Sequence, residues 1–200
     1  MGKFRTSSAT KTHWWKGQHR FEHWYRDNTV YFITSKVRNG YRAFQLDAAK
    51  LVFWDRFDFY TNKYGFEKWC ETLLDNHYHF VGYLKNGSNL GPLMQKIHGS
   101  VAKLTNDLLP TRHLPFWRFA GNQDYFDGCL RDEQQVRRAS RYTLTQAVRA
   151  GIVVDWRQYP HTRLHVDLNE RIQFSLRVKA IPIPVPYRRY QRGSDNPKTR

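Results

Sequence analysis

Three observations predict an α+β fold, an antiparallel sheet carrying helices, for this chain. Segments dense in β-branched and aromatic residues alternate with segments whose apolar residues recur every three or four positions. Two of the strand-like segments stand close enough in sequence to form a hairpin, and no internal repeat or low-complexity tract interrupts the pattern. Val30-Tyr31-Phe32-Ile33-Thr34-Ser35-Lys36-Val37, preceded by the turn-like Asp27-Asn28, is the first strand and is expected to be central. Ala49, Phe53, Phe57, Tyr60 and Tyr64 then lay one apolar stripe along a helix that Gly65 stops.

Glu67 to Leu74 and Tyr78 to Leu84 are the two strands flanking Asp75-Asn76-His77, where Asp75 shapes the turn or else supports a neighbouring metal ligand, and Asn86-Gly87 ends the second. Ser88 is the expected N-cap of a second helix traced by Leu90, Leu93, Ile97, Val101, Leu104 and Leu108, before Pro110. Phe116 to Cys129 has room for a fourth strand, with Trp117 and Phe119 as core residues. Asp132 caps a third helix reaching about Ala150, and Gly151 takes the C′ position. The first six elements, β-α-β-β-α-β, match the ferredoxin-like split arrangement with helices on one face of the sheet. The other face is thereby left open for a partner or a site, and the third helix is an addition to the C-terminal side.

Length and charge narrow the function. Two hundred residues can bury a core without disulfides, and Cys70 and Cys129 are too few for a disulfide framework. Lys and Arg outnumber Asp and Glu by 33 to 17, a net charge of +16, which points to a polyanion and first of all to nucleic acid. A hydrophobic content of 40% excludes a disordered basic protein. No apolar run is long enough for a membrane span or a signal peptide, so no membrane partner and a cytoplasmic location are expected.

The charge gathers at the ends: residues 1–45 hold 9 basic and 2 acidic residues, and residues 182–200 hold 5 and 1. After Pro182, Pro184 and Pro186 the chain continues as Tyr187-Arg188-Arg189-Tyr190-Gln191-Arg192, a basic tail that either grips a nucleic-acid backbone through Arg188, Arg189 and Arg192 or is simply solvated. Near the N-terminus Trp14 and Trp15 are candidates for stacking on unpaired bases. Three units follow: a basic, aromatic extension over 1–24, a folded domain over 25–181 and the proline-spaced tail over 182–200.

Two residue patterns carry chemistry. Side chains alternate along a strand, so His77 and His79 point the same way about 7 Å apart at the backbone, with Tyr78 and Phe80 facing the core. Such a pair can share a metal ion, or can be two ordinary surface or hydrogen-bonded histidines. On the third helix Arg138, Tyr142, Gln146 and Arg149 follow at four, four and three residues and share a face. A phenol is a weak nucleophile at neutral pH, but guanidinium groups and a divalent ion would favour attack by the phenolate, and the Gln146 amide oxygen could supply a third ligand. Tyr142 could equally well pack against the sheet with its hydroxyl paired.

The strings Asp75-Asn76-His77-Tyr78-His79-Phe80, Tyr125-Phe126-Asp127 with Arg131-Asp132-Glu133, and Arg141 through Val153 resemble the REP-associated tyrosine transposases of the HUH single-strand endonucleases, from about Tyr25 to Asp167. The resemblance implies a ferredoxin-like or RRM-like sheet and a Mg²⁺ or Mn²⁺ ion on His77, His79 and Gln146. It also implies that Tyr142 attacks a scissile phosphate of single-stranded, often hairpin-tipped DNA, leaving a 5′-phosphotyrosine and a free 3′-hydroxyl that later rejoins strands. Arg138 and Arg149 would then contact the DNA, and the location would be the bacterial nucleoid. The chain departs from the family in having Leu74-Asp75-Asn76 where Met-Pro-Asn is common, and Gln146-Ala147 where Asn-Pro is common. Two further readings stay open, a relative that binds single strands without cutting them and an RNA-binding module. Monomer and homodimer are both compatible with the sequence.

Overall fold

The computed structural model describes residues 25–118 and 124–178, together with the backbone of two paired two-residue strands, β1 (Trp14–Trp15) and β2 (Gln18–His19). The main sheet begins with β3 (Thr29–Lys36), followed by α1 (Asp47–Tyr64), β4 (Phe66–Leu73), β5 (His77–Leu84) and α2 (Leu90–Asn106). Then come β6 (Phe126–Cys129), α3 (Glu133–Leu144), α4 (Gln146–Arg149), β7 (Thr162–Leu164) and α5 (Leu168–Arg177). The strand order is β6-β3-β5-β4-β7 and every pairing is antiparallel. Its first four members have the ferredoxin-like order that the β-α-β-β-α-β succession predicts, and β5, with the two histidines, lies in the middle.

Alternation along the strands builds a core on each face. Tyr31, Ile33, Tyr78 and Phe80 pack against Phe53 and Phe57 of α1 and against Leu93 and Ile97 of α2. Val30 and Val81, on the opposite face, meet Val136 of α3 and Ile172 of α5. The face that the sequence leaves open is therefore partly roofed by α3, which brings Tyr142 onto it. The helix-one stripe is borne out at Ala49, Phe53 and Phe57, which are buried, and Gly65 caps the helix. No helix among the described residues is long and apolar enough to cross a membrane.

Several local expectations are corrected. The fourth strand occupies only Phe126–Cys129; Phe116 and Trp117 are core residues ahead of it, with Trp117 bridged to Val37. The third helix does not run unbroken to Ala150: Thr145 interrupts it, its hydroxyl donating to the Arg141 carbonyl at 2.8 Å, and Gln146 opens a separate short helix. Asp132 does cap α3, accepting from Gln135 N. Ser88 is not the cap of α2; its amide and hydroxyl both donate to Asn86, which caps a 3-10 turn over Gly87–Asn89. Leu104 and Leu108 face outward rather than into the core.

The sequence reading contains neither β7 nor α5. Beside β4, Arg163 donates to Asp58 at 2.9 Å and lies 3.8 Å over the Trp54 ring, and His165 Nε2 donates to the buried Glu71 at 2.7 Å. Helix α5 is capped by Asp167, whose side chain accepts from Asn169 and Glu170 amides. The expectations for residues 1–13 and 179–200, and for Phe119, lie outside the described residues.

Candidate active site

Register places the first half of the site. Thr34 stands opposite His79 and Lys36 opposite His77, so the two histidines, Phe32, Thr34 and Lys36 share one sheet face. The His77 and His79 rings meet edge-on with centroids 5.1 Å apart. His79 is only 6% exposed and stacks on Phe32 at 5.8 Å. Asn76 orients His77: its amide nitrogen donates to the Gly40 carbonyl at 3.0 Å, so its oxygen faces His77 Nδ1 at 2.6 Å. An amide oxygen only accepts, so Nδ1 carries the proton and Nε2 keeps its lone pair.

Helix α3 supplies the second half. Val136 and Leu144 are buried against the sheet, and Thr72 of β4 donates to the Thr143 carbonyl at 2.8 Å. These contacts fix the helix so that Tyr142, 40% exposed, brings its ring edge-on to His79 at 5.1 Å and to Phe32 at 6.0 Å. The Arg149 guanidinium lies 5.2 Å over the Tyr142 ring, close enough for cation–π attraction. Gln146 is buried, and its amide nitrogen donates to the Tyr142 carbonyl at 2.9 Å. Arg138, exposed, lines a pocket of about 490 Å³ with Phe32, Thr34, His79, Gln135 and Tyr142.

The electrostatics favour metal donors. Burial, and then the neighbouring His77, push the His79 pKa down to about 3. Burial, and then the Lys36 charge, lower that of His77, against a smaller opposing effect of the Gln146 amide. Both imidazoles are therefore neutral at pH 7. Both ring nitrogens of His79 are buried without a hydrogen-bond partner, a costly arrangement in a closed core and an apt one for a ligand awaiting an ion. Among the described residues no group of three or more His, Cys, Asp or Glu side chains stands together. A third protein ligand would then be of another type, and the Gln146 side-chain amide, which bonds the Tyr142 carbonyl through its nitrogen and also interacts with His77, could offer its oxygen.

Thus His77, His79, Tyr142, Gln146, Arg138 and Arg149 are brought to one place. Asp75 faces away from them: it pairs with Arg42 and Lys50, and its carbonyl accepts from Phe44 N, which fits the turn-shaping role. The side chains of Trp14 and Trp15, and Arg188, Arg189 and Arg192, lie outside the described residues. Sequence reasoning missed Phe32, Lys36 and Asn76. The signal for the first two was the same alternation that paired the histidines, applied across to the neighbouring strand.

No protein-family model and no curated protein matches the sequence. Among solved structures the chain is similar to a REP-associated tyrosine transposase bound to a REP hairpin, with a TM-score of 0.61 and 17% identity, over 76% of this chain and 87% of that one. At that identity the likeness is one of fold.

Proposed function

We propose that the protein is a metal-dependent single-stranded DNA strand transferase that cuts and rejoins hairpin-containing DNA through a tyrosine–phosphate intermediate. The observation that carries this reading is the succession Tyr142, His79, His77 on one sheet face, each ring 5.1 Å from the next. An exposed phenol, a guanidinium over its ring and neutral imidazoles form one surface on a basic chain of net charge +16. The similar fold of a transposase bound to a hairpin supports the substrate class.

The residues present fit a divalent ion. His77, His79 and Gln146 would hold it through two imidazole nitrogens and one amide oxygen, a mixed set that suits Mn²⁺ at least as well as Mg²⁺. Bound there, the ion supplies positive charge that polarises a phosphate oxygen. The Tyr142 oxygen forms a bond to phosphorus while the bond from phosphorus to the 3′-oxygen breaks. The phenol loses its proton and the departing 3′-oxygen gains one, so atoms and charge balance without water. Arg149 stabilises the phenolate and the crowded phosphate, and Arg138 holds the strand beside the tyrosine. Attack of the 3′-hydroxyl on the tyrosine–phosphate bond reverses these steps and rejoins strands.

The test incubates the full chain with end-labelled hairpin DNAs bearing single-stranded flanks, in Mn²⁺ or EDTA. A denaturation-resistant protein–DNA adduct that needs the metal and disappears in Tyr142→Phe is the expected result. Tight binding with no adduct on any such DNA would instead identify a binding module that does not cut.

A further inference from the structure

The far end of β3 carries a feature that the site above does not use. Beyond Lys36 the chain turns through Asn39 and Gly40, both left-handed with φ of 57° and 69°. Residues 116–118 run back alongside, Arg38 N donating to the Phe116 carbonyl at 2.9 Å and Arg118 N to the Lys36 carbonyl at 2.7 Å. Phe116 and Trp117, both buried, anchor this return in the core. The two ribbons hold Lys36, Arg38 and Arg118 around one pocket of about 610 Å³, whose remaining walls are Asn39, Gly40 and Pro115. That is room for a nucleotide unit rather than a bare ion.

The charge in this pocket is unbalanced. All three cations are exposed, and none has a carboxylate within ion-pair distance among the described residues, whereas Arg42, Lys68, Arg137 and Arg163 each have one. The nearby carboxylate of Asp75 is taken up by Arg42 and Lys50. Like charges held in a concavity repel one another and concentrate an anionic partner. Tyr41 and His113 stack at 4.6 Å beside it, with His113 Nε2 donating to the Arg38 carbonyl at 3.0 Å, so an aromatic pair stands next to the cations as in single-strand binding surfaces.

We infer that Lys36, Arg38 and Arg118 form a second phosphate site that grips the DNA backbone where the strand leaves the histidine pair on the side away from Tyr142. The inference rests on the proposed strand transfer, which gives the strand its line. Tyr142, His79, His77 and Lys36 follow one another across the same sheet face, and the pocket continues that line. Contacts of this kind carry no sequence information; they set the register of the strand on the protein. Their task here is to set which phosphate meets Tyr142.

The test compares two double variants of the full chain, both made at exposed side chains. Arg38→Gln with Arg118→Gln removes two of the three cations of the pocket, and Lys63→Gln with Lys103→Gln removes equal charge from α1 and α2 on the opposite face. Binding to a fluorescent hairpin oligonucleotide with single-stranded flanks is measured as salt is varied, with Mn²⁺ present. Each lost single-strand phosphate contact lowers the slope of log K against log salt by about 0.7, so the pocket variant should lose about 1.4 and the control far less. Affinity near 0.1 M salt should fall by about tenfold or more in the pocket variant alone. Equal slopes in the two variants would overturn the site. So would a nucleoside triphosphate that thermally stabilises the DNA-free parent protein but not the pocket variant, since that outcome assigns the pocket to a free nucleotide. Adduct formation is scored separately: a parent protein with pocket-dependent binding but no adduct refutes strand transfer alone, and an adduct with equal slopes refutes the pocket alone.

Discussion

The ring of Tyr142 meets that of His79 edge-on, with 5.1 Å between centroids and 84° between planes, although one side chain is 40% exposed and the other 6%. The contact joins a surface group that a DNA strand can reach to an imidazole that water reaches poorly. The proposed nucleophile and the proposed metal donor are thus adjacent yet differently solvated, and three consequences of that arrangement are measurable, with a fourth at the β7 edge.

His79 is a stability defect in the metal-free protein. Its two ring nitrogens are buried and unpaired, so His79→Leu should raise the stability of the EDTA-treated protein by about 1–3 kcal/mol. The proposed ion site predicts added thermal stability in Mn²⁺ for the parent and none for this variant. A His79→Leu protein less stable than the parent in EDTA would mean that the imidazole is satisfied in some other way.

Tyr142→Phe should separate chemistry from folding. The hydroxyl has no hydrogen-bond partner among the described residues and the ring keeps its contacts with His79 and Phe32. Unfolding free energy should stay within about 0.5 kcal/mol of the parent while adduct formation ceases. Denaturant melts alongside the adduct assay check both halves of the expectation.

Arg149 lies over the Tyr142 ring, and removing its charge in Arg149→Gln should slow adduct formation by about 10- to 100-fold. Arg149→Lys keeps the charge but lacks the planar guanidinium, and should fall between the two. Single-turnover rates at saturating DNA are the measurement, because they exclude a change in binding. Identical rates in all three proteins would leave Arg149 with no part in the step.

Acid should loosen the β7 edge. Burial raises the Asp58 pKa, but hydrogen bonds from Lys68 and Arg163, and their charges, outweigh it and hold the carboxyl below its ordinary 3.8. A carboxyl with a depressed folded pKa contributes stability that is present above the unfolded value and lost as pH falls through the folded one. Asp58→Asn should therefore cost about 1 kcal/mol at pH 7, a small effect because the group is partly exposed, and should flatten the stability profile below pH 4. Urea midpoints at pH 7, 5 and 3 give the comparison.

Much of the frame was legible because it follows from periodicity. Alternation put His77 and His79 on one face, and helical spacing put Arg138, Tyr142, Gln146 and Arg149 on another, and the structure sets the two faces against each other. The Thr145 break was not legible, since a threonine hydroxyl returning to a carbonyl four residues back is compatible with an unbroken helix as well. Strand β7 is three residues long, too short for any alternation to register. Helix α5 does leave a signal, Asp167 with Glu170 three positions on and Leu168, Ile172 and Leu176 at intervals of four. His98 gave no signal because its partners come from distant segments: Tyr78 Oη and Asp124 both lie 2.6 Å from its ring nitrogens.

The histidines and the tyrosine belong to elements that should exchange their amide hydrogens on different timescales. Strand β5 is bonded along both edges, to β3 and β4, so its amides should open only when the whole molecule unfolds. Helix α3 is tied to the sheet through one packed stripe and the Thr72 hydroxyl, and should come away in a smaller excursion. Each such excursion should withdraw the Tyr142 phenol, and the Gln146 amide bonded to its carbonyl, while the imidazole pair stays in place on β5, so the proposed site would come apart along the seam between α3 and the sheet without the sheet unfolding.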